Sequence, residues 1–421
     1  MSLPARNVEH QAAAPHEALA KLREIRDRLP PGEGAANARL ELVTTRAGFD
    51  ALEDQWNALF ERSARSGQLF QSFNWLWHWS NHFLAAPGQS GPELAIVAAH
   101  VDDRLVMVWP LVSERVGGVR VLTWMGEPVS QYGDVLIDDL PDALDLLRNA
   151  WAFLTRETGA SVVQLRKVRA DAAIAPLLDE LKSLVTAELA APYLDLTSAA
   201  SFEDYEKRYS SGARRNRKRQ RRRLEERGAV ALGWHTHGDE AAALATETFR
   251  MKRAWLHERG VISTAFADTR TDRFFADAVG AASHPAGCHV LTLTCGGRPV
   301  ALEIGVRQKG RSAIHIIAYD LEFEKMATGS LLMEESIRHA MNDGMAVFDL
   351  LAPADGYKRE WADDAVAVRD WAVPVSIFGR AYAHVYLGLF RNGVKRAVAA
   401  LPVGARRRLT QVLAFRSKTS D

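Results

Sequence analysis

Two copies of one order of structural elements constrain the fold of this 421-residue chain more than any other feature of its sequence. In each copy, three segments with strand-like alternation are separated by tight turns and followed by a helix and a further strand. The turns at Asp102-Asp103 and Gly296-Gly297 lie 194 residues apart, and the strands after Gly159 and Gly344 begin 185 residues apart. This match indicates an internal duplication of a β-β-β-α-β unit, which predicts an α/β (α+β) fold with mixed sheets flanked by helices.

The predicted elements have bounds that can be compared directly with the structure. The first copy has strands over 93–100, 104–113, 119–126 and 161–167 and a helix over 141–158. The second has strands over 288–294, 298–307, 312–319 and 345–350 and a helix over 329–342. Outside the copies we predict a strand over 40–44 and helices over 47–63, 73–83 and 172–184.

The length of the chain exceeds what one hydrophobic core usually organises, so more than one domain is expected. We predict a flexible N-terminal segment over 1–38, a first domain over 39–190, a second domain over 191–375 and a basic amphipathic tail over 376–421.

The net charge of +1 results from the cancellation of opposite charges in different parts of the chain. Residues 214–227 carry a net charge of +7 and residues 372–421 a net charge of +8, so the remainder carries −14. The 47% hydrophobic and 25% charged residues are typical of a globular protein, which excludes a disordered or collagen-like chain. Basic patches on an acidic body favour phosphate-bearing ligands or a membrane surface as partners.

Two cysteines, Cys288 and Cys295, argue against a disulfide framework, and their spacing fits no zinc pattern, so we expect no metal site. The N-terminal residues lack a signal peptide, and no 18-residue apolar run predicts a membrane span. We therefore expect a cytoplasmic protein.

The helix predicted over 329–342 begins with glycine and hydroxyl residues, at Thr328, Gly329, Ser330 and Leu331. The free N–H groups and positive dipole end of such a helix can hold a phosphate or pyrophosphate. The alternative is an ordinary helix cap supplied by Thr328 or Ser330. Beyond the next strand lie Tyr357, Lys358 and Trp361, where open sheets commonly bind ligands.

Several motifs, in order, resemble one family. The run AYD…TGSLLMEESIRHAMNDGMAVFDLL…YKREW, which ends at Trp361, resembles the C-terminal half of CelD-type acyltransferases of cellulose biosynthesis. These belong to the GNAT superfamily and are similar to the FemAB-type tandem-GNAT transferases. The earlier motifs FQSFNWLWHWSNHF, WPL and QYGDVL are similar to the first domain of the same family, and the resemblance covers roughly residues 40–375.

The resemblance implies two tandem GNAT-like domains that transfer an acyl group from acyl-CoA, as co-substrate, to an amine, with no permanently bound cofactor. The usual GNAT phosphate loop, Gln/Arg-x-x-Gly-x-Gly/Ala, is replaced by residues 324–329, which keep Gly329 and Lys325. Lys325 joins residues 328–331 as a candidate for CoA binding. Trp75 and Tyr132, in the motifs of the first domain, are candidates for substrate binding.

Aminolysis of a thioester requires a base near the amine and a proton donor for the leaving thiolate. Alternation along 298–307 places Glu303 on the face opposite the apolar residues, and it places His315 and Tyr319 on one face of the next strand. We predict Glu303 or His315 as the base and Tyr319 or Tyr357 as the proton donor. Asp320 is predicted to orient the amine, and Lys358 to bind a carboxylate or phosphate. The alternative for each is a polar residue on a half-covered sheet.

Two basic segments are the remaining binding candidates. Arg214–Arg223 holds eight basic residues in ten and is predicted to form one helix between caps at Ser210 or Ser211 and Gly228. It can bind phosphates of CoA, a nucleotide-linked substrate or anionic lipids; it can bind nucleic acid; or it can be a solvated helix packed through Tyr209 and Leu224. The tail over 377–401 suits either an anionic membrane surface or the protein's own core.

Taken together, the sequence predicts an acyl-CoA-dependent N-acyltransferase acting on an amine of a sugar, glycolipid precursor or lipid base. The family resemblance implies envelope or exopolysaccharide biosynthesis, and the basic tail favours a lipid amine, as in sphingolipid N-acylation. A cytoplasmic protein attached peripherally to the inner face of the plasma membrane is expected. The first alternative is FemAB-like aminoacyl transfer from charged tRNA, in which tRNA is the nucleic-acid partner. The second alternative is a non-catalytic GNAT-scaffold binding protein.

Overall fold

The computed structural model describes residues 37–86, 89–181, 183–261, 263–281 and 287–390. The predicted N-terminal segment, apart from its last two residues, and the tail beyond 390 lie outside the described residues. The strands are β1 (Arg39–Val43), β2 (Glu93–Leu94), β3 (Ile96–Val101), β4 (Arg104–Trp109), β5 (Leu111–Val116), β6 (Val119–Trp124), β7 (Leu136–Ile137), β8 (Val162–Arg169), β9 (Leu184–Asp195), β10 (Val230–His235), β11 (Cys288–Cys295), β12 (Arg298–Gln308), β13 (Arg311–Tyr319), β14 (Val347–Asp349) and β15 (Asp364–Pro374).

The helices alternate with these strands in both halves of the chain. They are α1 (Arg46–Asp50), α2 (Glu53–Ser63), α3 (Phe73–Phe83), α4 (Ala143–Thr158), α5 (Ala175–Glu180), α6 (Phe202–Tyr205), α7 (Ser211–Glu225), α8 (Gly238–Glu258), α9 (Thr264–Ala267), α10 (Thr269–Gly280), α11 (Thr328–Asn342), α12 (Gly356–Trp361) and α13 (Ile377–Ala381). A π-helical segment, Tyr382–Phe390, follows α13. The predicted α/β architecture is confirmed.

Local signals in the sequence account for most element ends. Ser72 caps α3 by accepting a hydrogen bond from the backbone N–H of Trp75, as predicted, and Ser210 caps α7 in the same way. Pro110 interrupts the strand predicted over 104–113 because it has no N–H for a ladder. After this break, β4 belongs to a four-stranded sheet in the order β1-β3-β4-β7, and β5 belongs to an eleven-stranded sheet.

One predicted helix is wrong at its end, and four strands, β7, β9, β10 and β15, were not predicted. The helix predicted over 172–184 is only the short α5, and β9 follows from Leu184 to Asp195. The sequence of β9, LVTAELAAPYLD, contains good helix formers, but β14 and β15 pair with this segment from either side. Pairing with two neighbouring strands overrides the intrinsic preference of the segment. A helix predicted over 47–63 is likewise divided into α1 and α2.

The two halves share one sheet through an exchange of strands. The large sheet runs β10-β11-β12-β13-β14-β9-β15-β8-β6-β5-β2. Strand β9, from the first half, pairs with β14 of the second, and β15, from the second half, pairs with β8 of the first. The predicted domain boundary at 190/191 therefore falls inside a strand, and the sheet of each half is completed by the other.

The duplication is visible in the pairing of the sheet. In the first half β6 lies parallel to β8, and in the second β13 lies parallel to β14, with α4 and α11 as the crossover helices. Pairing between β13 and β14 stops at Ala313 and Asp349, but β13 continues to Tyr319. Beyond Ala313 the side of β13 that faces β14 is not paired with a strand among the described residues, and we call the space beside residues 314–319 the strand gap.

The aromatic helix α3 packs the first half against the second. Trp75 is 2% exposed, donates from its indole N–H to Ser130 Oγ at 2.9 Å and packs edge-on against Phe274 of α10. Trp79 and Phe83 of α3 stack on each other in the same core. The helix thus belongs to the core, and its Trp75 is buried among aromatic side chains.

The segment after β15 packs partly on the protein itself. Ala383 and Leu387 are buried against Val121 and Val162 of the sheet, whereas Ile377 and Phe378 are 75% and 72% exposed. Within the described part of the chain, no helix is long and apolar enough to cross a membrane.

Candidate active site

The strand gap lies beside the N-terminus of α11, which follows β13 after one 3-10 helix, Leu321–Met326. The N-cap residue, Ala327, has a left-handed backbone with φ of 52°, and no side chain in the described chain caps the helix. Neither Thr328 nor Ser330 is the cap that the alternative interpretation required. The hydroxyl of Thr328 is buried and has no hydrogen-bond partner among the described residues. The first turn of α11 thus presents N–H groups to whatever occupies its end.

Gly329 allows this helix end to lie close to β13. A Cβ atom at Gly329 would lie 3.1 Å from Cδ1 of Tyr319, tighter than most contacts of this kind. The glycine therefore permits the close approach that a loop from the sheet to a helix N-terminus requires at a phosphate site.

Helix α7, the predicted basic helix, forms the other wall of a cavity at this helix end. The cavity has a volume of about 170 Å³ and is lined by Tyr209, Ala213, Asn216, Arg217, Gln220, Ala327, Ser330, Leu331, Glu360 and Trp361. We call it the α7–α11 pocket. Its lining includes Ser330 and Leu331, which were predicted to bind CoA, and Trp361, which was predicted to bind the substrate. Lys325 is exposed and outside this lining.

The side chains of α7 divide into two groups. Arg217 and Arg221 pair with Glu334 and Glu335 of α11, and the Arg217 guanidinium lies 5.0 Å from the ring centroids of both Tyr209 and Trp361. Arg217 Nη2 makes no hydrogen bond to any described residue, and Glu206 Oε2 lies 4.0 Å from it. The exposed basic residues lie on the opposite face and are Arg215, Lys218, Arg219, Arg222 and Arg223.

Helix α12 borders the strand gap beyond β14. The ammonium group of Lys358 donates to the carbonyls of Leu351 and Pro353 at 2.9 and 3.1 Å, and burial lowers its pKa. Loss of solvation, with the carboxylates of Asp355 and Glu303, raises the pKa of Tyr357 to about 12. The Tyr357 hydroxyl therefore stays protonated at neutral pH, as a proton donor requires.

Glu303, a predicted base, lies under α11 rather than at a surface. It is 0% exposed, accepts a hydrogen bond from Ser336 Oγ at 2.8 Å and has His289 Nε2 at 4.0 Å. Burial raises the pKa of its carboxyl from 4.5 to about 7. No substrate can touch Glu303 in this arrangement, so a part in proton transfer requires an intermediate group.

The raised pKa of Glu303 predicts how the free energy of unfolding depends on pH. The unfolded chain releases this proton near pH 4.5 and the folded protein near pH 7, so the folded protein loses stability as the pH rises between these values. We expect Glu303→Gln to remove the loss, making the variant more stable than the wild type by up to about 3 kcal/mol at pH 8 and by nothing at pH 4. Urea unfolding at both values measures the difference, and an equal difference at both would contradict it.

His315 lies where the alternation of β13 is interrupted. Ile304 pairs with Ile316 and Gly305 with Ile314, so His315 is the extra residue of a β-bulge. The bulge turns the imidazole towards α10, where its centroid lies 4.8 Å from that of Phe275. Tyr319 instead contacts Gly329 of α11 and accepts a hydrogen bond from Trp255 at 2.8 Å. The prediction that His315 and Tyr319 share a face is wrong, because it assumed an unbroken alternation.

The protonation state of His315 follows from its contacts. Its Nε2 is hydrogen-bonded to the carbonyl of Val129 at 2.5 Å, so this nitrogen carries the proton. Burial lowers the pKa of the imidazole to about 4, which leaves it neutral at physiological pH. The buried Nδ1 has no hydrogen-bond partner in the described ranges. Its lone pair is therefore free to accept a proton.

Two predicted substrate residues bind other parts of the protein. Asp320 accepts hydrogen bonds from Arg298 and from the backbone N–H of Glu322, so its carboxylate is already engaged. Tyr132 donates to Asp349 at 2.8 Å and also lines a second cavity, of about 220 Å³, between Arg65 and Asp171.

Sequence reasoning missed Lys252 on α8 and Lys167 on β8. The ammonium group of Lys252 donates to the carbonyl of Ile317 at 3.0 Å, and that of Lys167 to Gln131 at 2.7 Å. Neither residue lies in a charged run or a recognisable motif, so only the tertiary structure brings them to the strand gap.

Comparisons with known proteins agree with this geometry. A family model described as an acetyltransferase (GNAT) domain matches residues 211–359, from α7 through the strand gap to α12. A search of curated proteins found no match.

Solved structures resemble most of the chain. The crystal structure of FemX is similar with a TM-score of 0.56 and 10% identity, over 82% of this chain and 99% of that one. A conserved protein of unknown function from Bacteroides thetaiotaomicron is similar with a TM-score of 0.51 and 11% identity, over 80% and 100%. L-PGS from Bacillus licheniformis has a TM-score of 0.48 at 12% identity, over 80% and 96%.

The FemX likeness extends over both halves and their shared sheet, while the family model covers the half that contains the strand gap. Residues 211–359 therefore match an acetyltransferase (GNAT) domain, within a chain whose fold is similar to that of FemX.

Proposed function

We propose that the protein is an N-acyltransferase of the CelD or FemAB-like type that uses acyl-CoA. Its acceptor is an amine on a sugar, a glycolipid precursor or a lipid base, in envelope, exopolysaccharide or sphingolipid biosynthesis. The observation that carries the proposal is the uncapped N-terminus of α11, which borders both the strand gap and the α7–α11 pocket. This is the arrangement that a donor with a pyrophosphate and an extended acyl arm requires.

Donor binding is assigned to the helix end and its surroundings. The N–H groups of Thr328 and Gly329 hold the pyrophosphate, and Lys325, on the preceding turn, adds a positive charge. Arg217 Nη2, which lacks a hydrogen bond among the described residues, completes the pocket from the α7 side. Leu331 and Trp361 supply apolar walls.

The reaction takes place in the strand gap, between the two faces of the sheet. The acceptor nitrogen forms a bond to the thioester carbonyl carbon, the carbon–sulfur bond breaks, and CoA leaves as a thiolate. We assign His315 to accept the proton lost by the amine through an intermediate group, because its Nδ1 is neutral and has a free lone pair but is buried. Tyr357 donates a proton to the thiolate, and Tyr319 positions the turn that leads into α11.

The experiment is a measurement of CoA binding and of thiol release by the purified protein with short- and long-chain acyl-CoAs and a panel of amines. We expect CoA to bind and an acyl-pantetheine, which lacks the phosphates, to bind more weakly. Failure of every acyl-CoA to bind would refute the proposal that acyl-CoA is the donor. CoA binding without turnover with any amine would identify a non-catalytic scaffold.

The exposed face of α7 supports a second candidate, aminoacyl transfer from charged tRNA. Five basic residues on one helix face, next to the pocket, are the kind of surface that phosphate backbones bind. Activity that requires aminoacyl-tRNA and disappears on ribonuclease treatment would favour this candidate over acyl-CoA.

A peripheral position on an anionic membrane is proposed for the apolar residues after β15 and the basic helix. Ile377 and Phe378 are exposed, and Arg380 lies beside them. We expect Ile377→Ser/Phe378→Ser to reduce cosedimentation with phosphatidylglycerol vesicles several-fold, because each apolar side chain contributes about 1.5–3 kcal/mol when buried. Neutral phosphatidylcholine vesicles are the control. Unchanged sedimentation of the double variant would contradict the proposal.

A further inference from the structure

Three partly buried lysines at the strand gap have only neutral oxygen atoms as hydrogen-bond acceptors. Lys252 binds the carbonyl of Ile317, and Lys358 binds the carbonyls that follow β14. Lys167 binds the side-chain oxygen of Gln131 and, at 3.4 Å, the carbonyl of Ser130. In the described part of the chain, no carboxylate oxygen lies within 4.0 Å of any of the three. We call these residues the lysine site.

The lysine site surrounds one mouth of the strand gap. The carbonyl of Ile317 lies on β13 beyond its last residue paired with β14, so Lys252 marks one side of the gap and Lys358 the other. Lys167 reaches the loop whose Val129 carbonyl binds His315. The bulge directs His315 to this same mouth, and the charges of Lys167 and Lys358 help to lower its pKa.

This mouth opens on the face of the sheet opposite α11. Helix α8 packs Ala245 and Phe249 against Ile304 and Ile316, whereas α11 packs Leu331 and Leu332 against Val300 and Ala301 on the other face. A donor bound at the α11 end therefore reaches the gap from one face, and the lysine site receives an acceptor from the other.

The positive charge at the lysine site lacks a dedicated counter-charge. Burial, and then the charge of Lys358, lowers the pKa of Lys252 to about 8, and burial likewise lowers the pKa of Lys167 to about 8. The acidic neighbours are engaged elsewhere: Asp349 binds Arg169 and Arg311, and Glu127 binds Arg166. Asp370, near Lys167, also lies 3.6 Å from Arg166. The remaining acidic neighbour of Lys252 and Lys358 is Asp355, which is exposed to solvent.

Ammonium groups that are removed from water and not paired with a carboxylate are costly, and an anion placed among them offsets the cost. We propose that the lysine site binds an anionic group, a phosphate or a carboxylate, that the amine acceptor carries. The inference rests on the proposed function, since it assigns the acceptor side of the same gap. It restricts the acceptor to amines such as amino-sugar phosphates, amine-bearing phospholipid precursors or amino acids.

Matched pairs of amines test the inference. The probes are glucosamine 6-phosphate against glucosamine, and β-alanine against β-alaninamide, with dissociation constants measured calorimetrically in the full chain. We expect one anionic probe to bind at least tenfold more tightly than its neutral partner. We expect Lys252→Gln and Lys358→Gln each to reduce that preference about tenfold, because each removes a charge-assisted hydrogen bond.

Two controls separate this result from damage to the fold and from the donor site. Lys207→Gln makes the same change at an exposed lysine that pairs with Asp204, and it should leave the preference unchanged. The dissociation constant for CoA should be the same in all variants, which also shows that they fold. Phosphate preference identifies a phosphorylated acceptor, and carboxylate preference an amino-acid acceptor.

Four results would contradict either the inference or the proposed donor. No preference for either anionic probe, or a preference that survives in both lysine variants, would overturn the inference. A fall in kcat with unchanged binding would also overturn it, since the ammonium would then act on the oxyanion of the reaction. Lysine-dependent anion binding in a protein that does not bind CoA would leave the lysine site in place and refute the acyl-CoA donor instead.

Discussion

Replacing Asp349 with alanine is expected to lower the free energy of unfolding by about 3–5 kcal/mol, because it leaves the buried guanidinium of Arg311 without its carboxylate and removes one of the two carboxylates that bind Arg169. Asp349 is 0% exposed and accepts hydrogen bonds from Tyr132, Arg311 and Arg169 at 2.8, 2.8 and 3.3 Å. Two of these partners, Tyr132 and Arg169, come from the first half of the chain. The substitution therefore weakens the contact between the two halves as well as the packing around β14.

Urea unfolding of Asp349→Ala measures this effect, with Asp171→Ala as the matched control. Asp171 also binds Arg169, but its side chain is 56% exposed, so its removal should cost less than about 1 kcal/mol. Comparable losses in the two variants would show that burial of the Asp349 cluster does not control stability.

Ser330→Glu is expected to weaken CoA binding by about tenfold or more while leaving the protein as stable as the wild type. Ser330 is exposed and is the third residue of α11. A carboxylate there interacts favourably with the helix dipole, by about 0.3–1 kcal/mol, so the helix is not weakened. The same carboxylate repels phosphates at the helix end, and tenfold corresponds to about 1.4 kcal/mol.

Calorimetric titration with CoA and thermal unfolding provide the two measurements. Ser330→Gln, of similar size without the charge, should bind CoA nearly as well as the wild type. An acyl-pantetheine, which lacks the phosphates, should bind Ser330→Glu and the wild type alike. If Ser330→Glu binds CoA normally, the pyrophosphate is not at the N-terminus of α11.

Patterns local in the sequence predicted most of the elements. Alternating apolar residues and glycine turns identified β11, β12 and β13 to within one residue at each end, because a hairpin depends on neighbouring residues only. The basic run at Arg214–Arg223 is one helix capped by Ser210, as predicted, since the cap and the helix formers are close in sequence, but its C-cap is Glu226 rather than the predicted Gly228. The resemblance to the GNAT superfamily is confirmed for residues 211–359.

Contacts between distant residues explain the predictions that failed. Strand β9 was read as helix and loop because its partners, β14 and β15, lie more than 150 residues further along the chain. The bulge at His315 is set by the pairing of β12 with β13, so the strand's own residues do not reveal it. The substrate role of Trp75 stays a prediction, and the contact that Trp75 makes with Phe274 of the other half was not evident from local sequence.

The sequence by itself determined the duplicated α/β architecture, the resemblance of residues 211–359 to a GNAT domain and the helix end at Thr328–Leu331, because each depends on residues close together in the chain. The tertiary structure decided that the halves exchange β9 and β15, that α7 closes a pocket over α11, and that Lys167, Lys252 and Lys358 surround one gap. Each of these depends on pairing and burial between segments far apart in sequence, where the free energy comes from neighbours that no local pattern specifies.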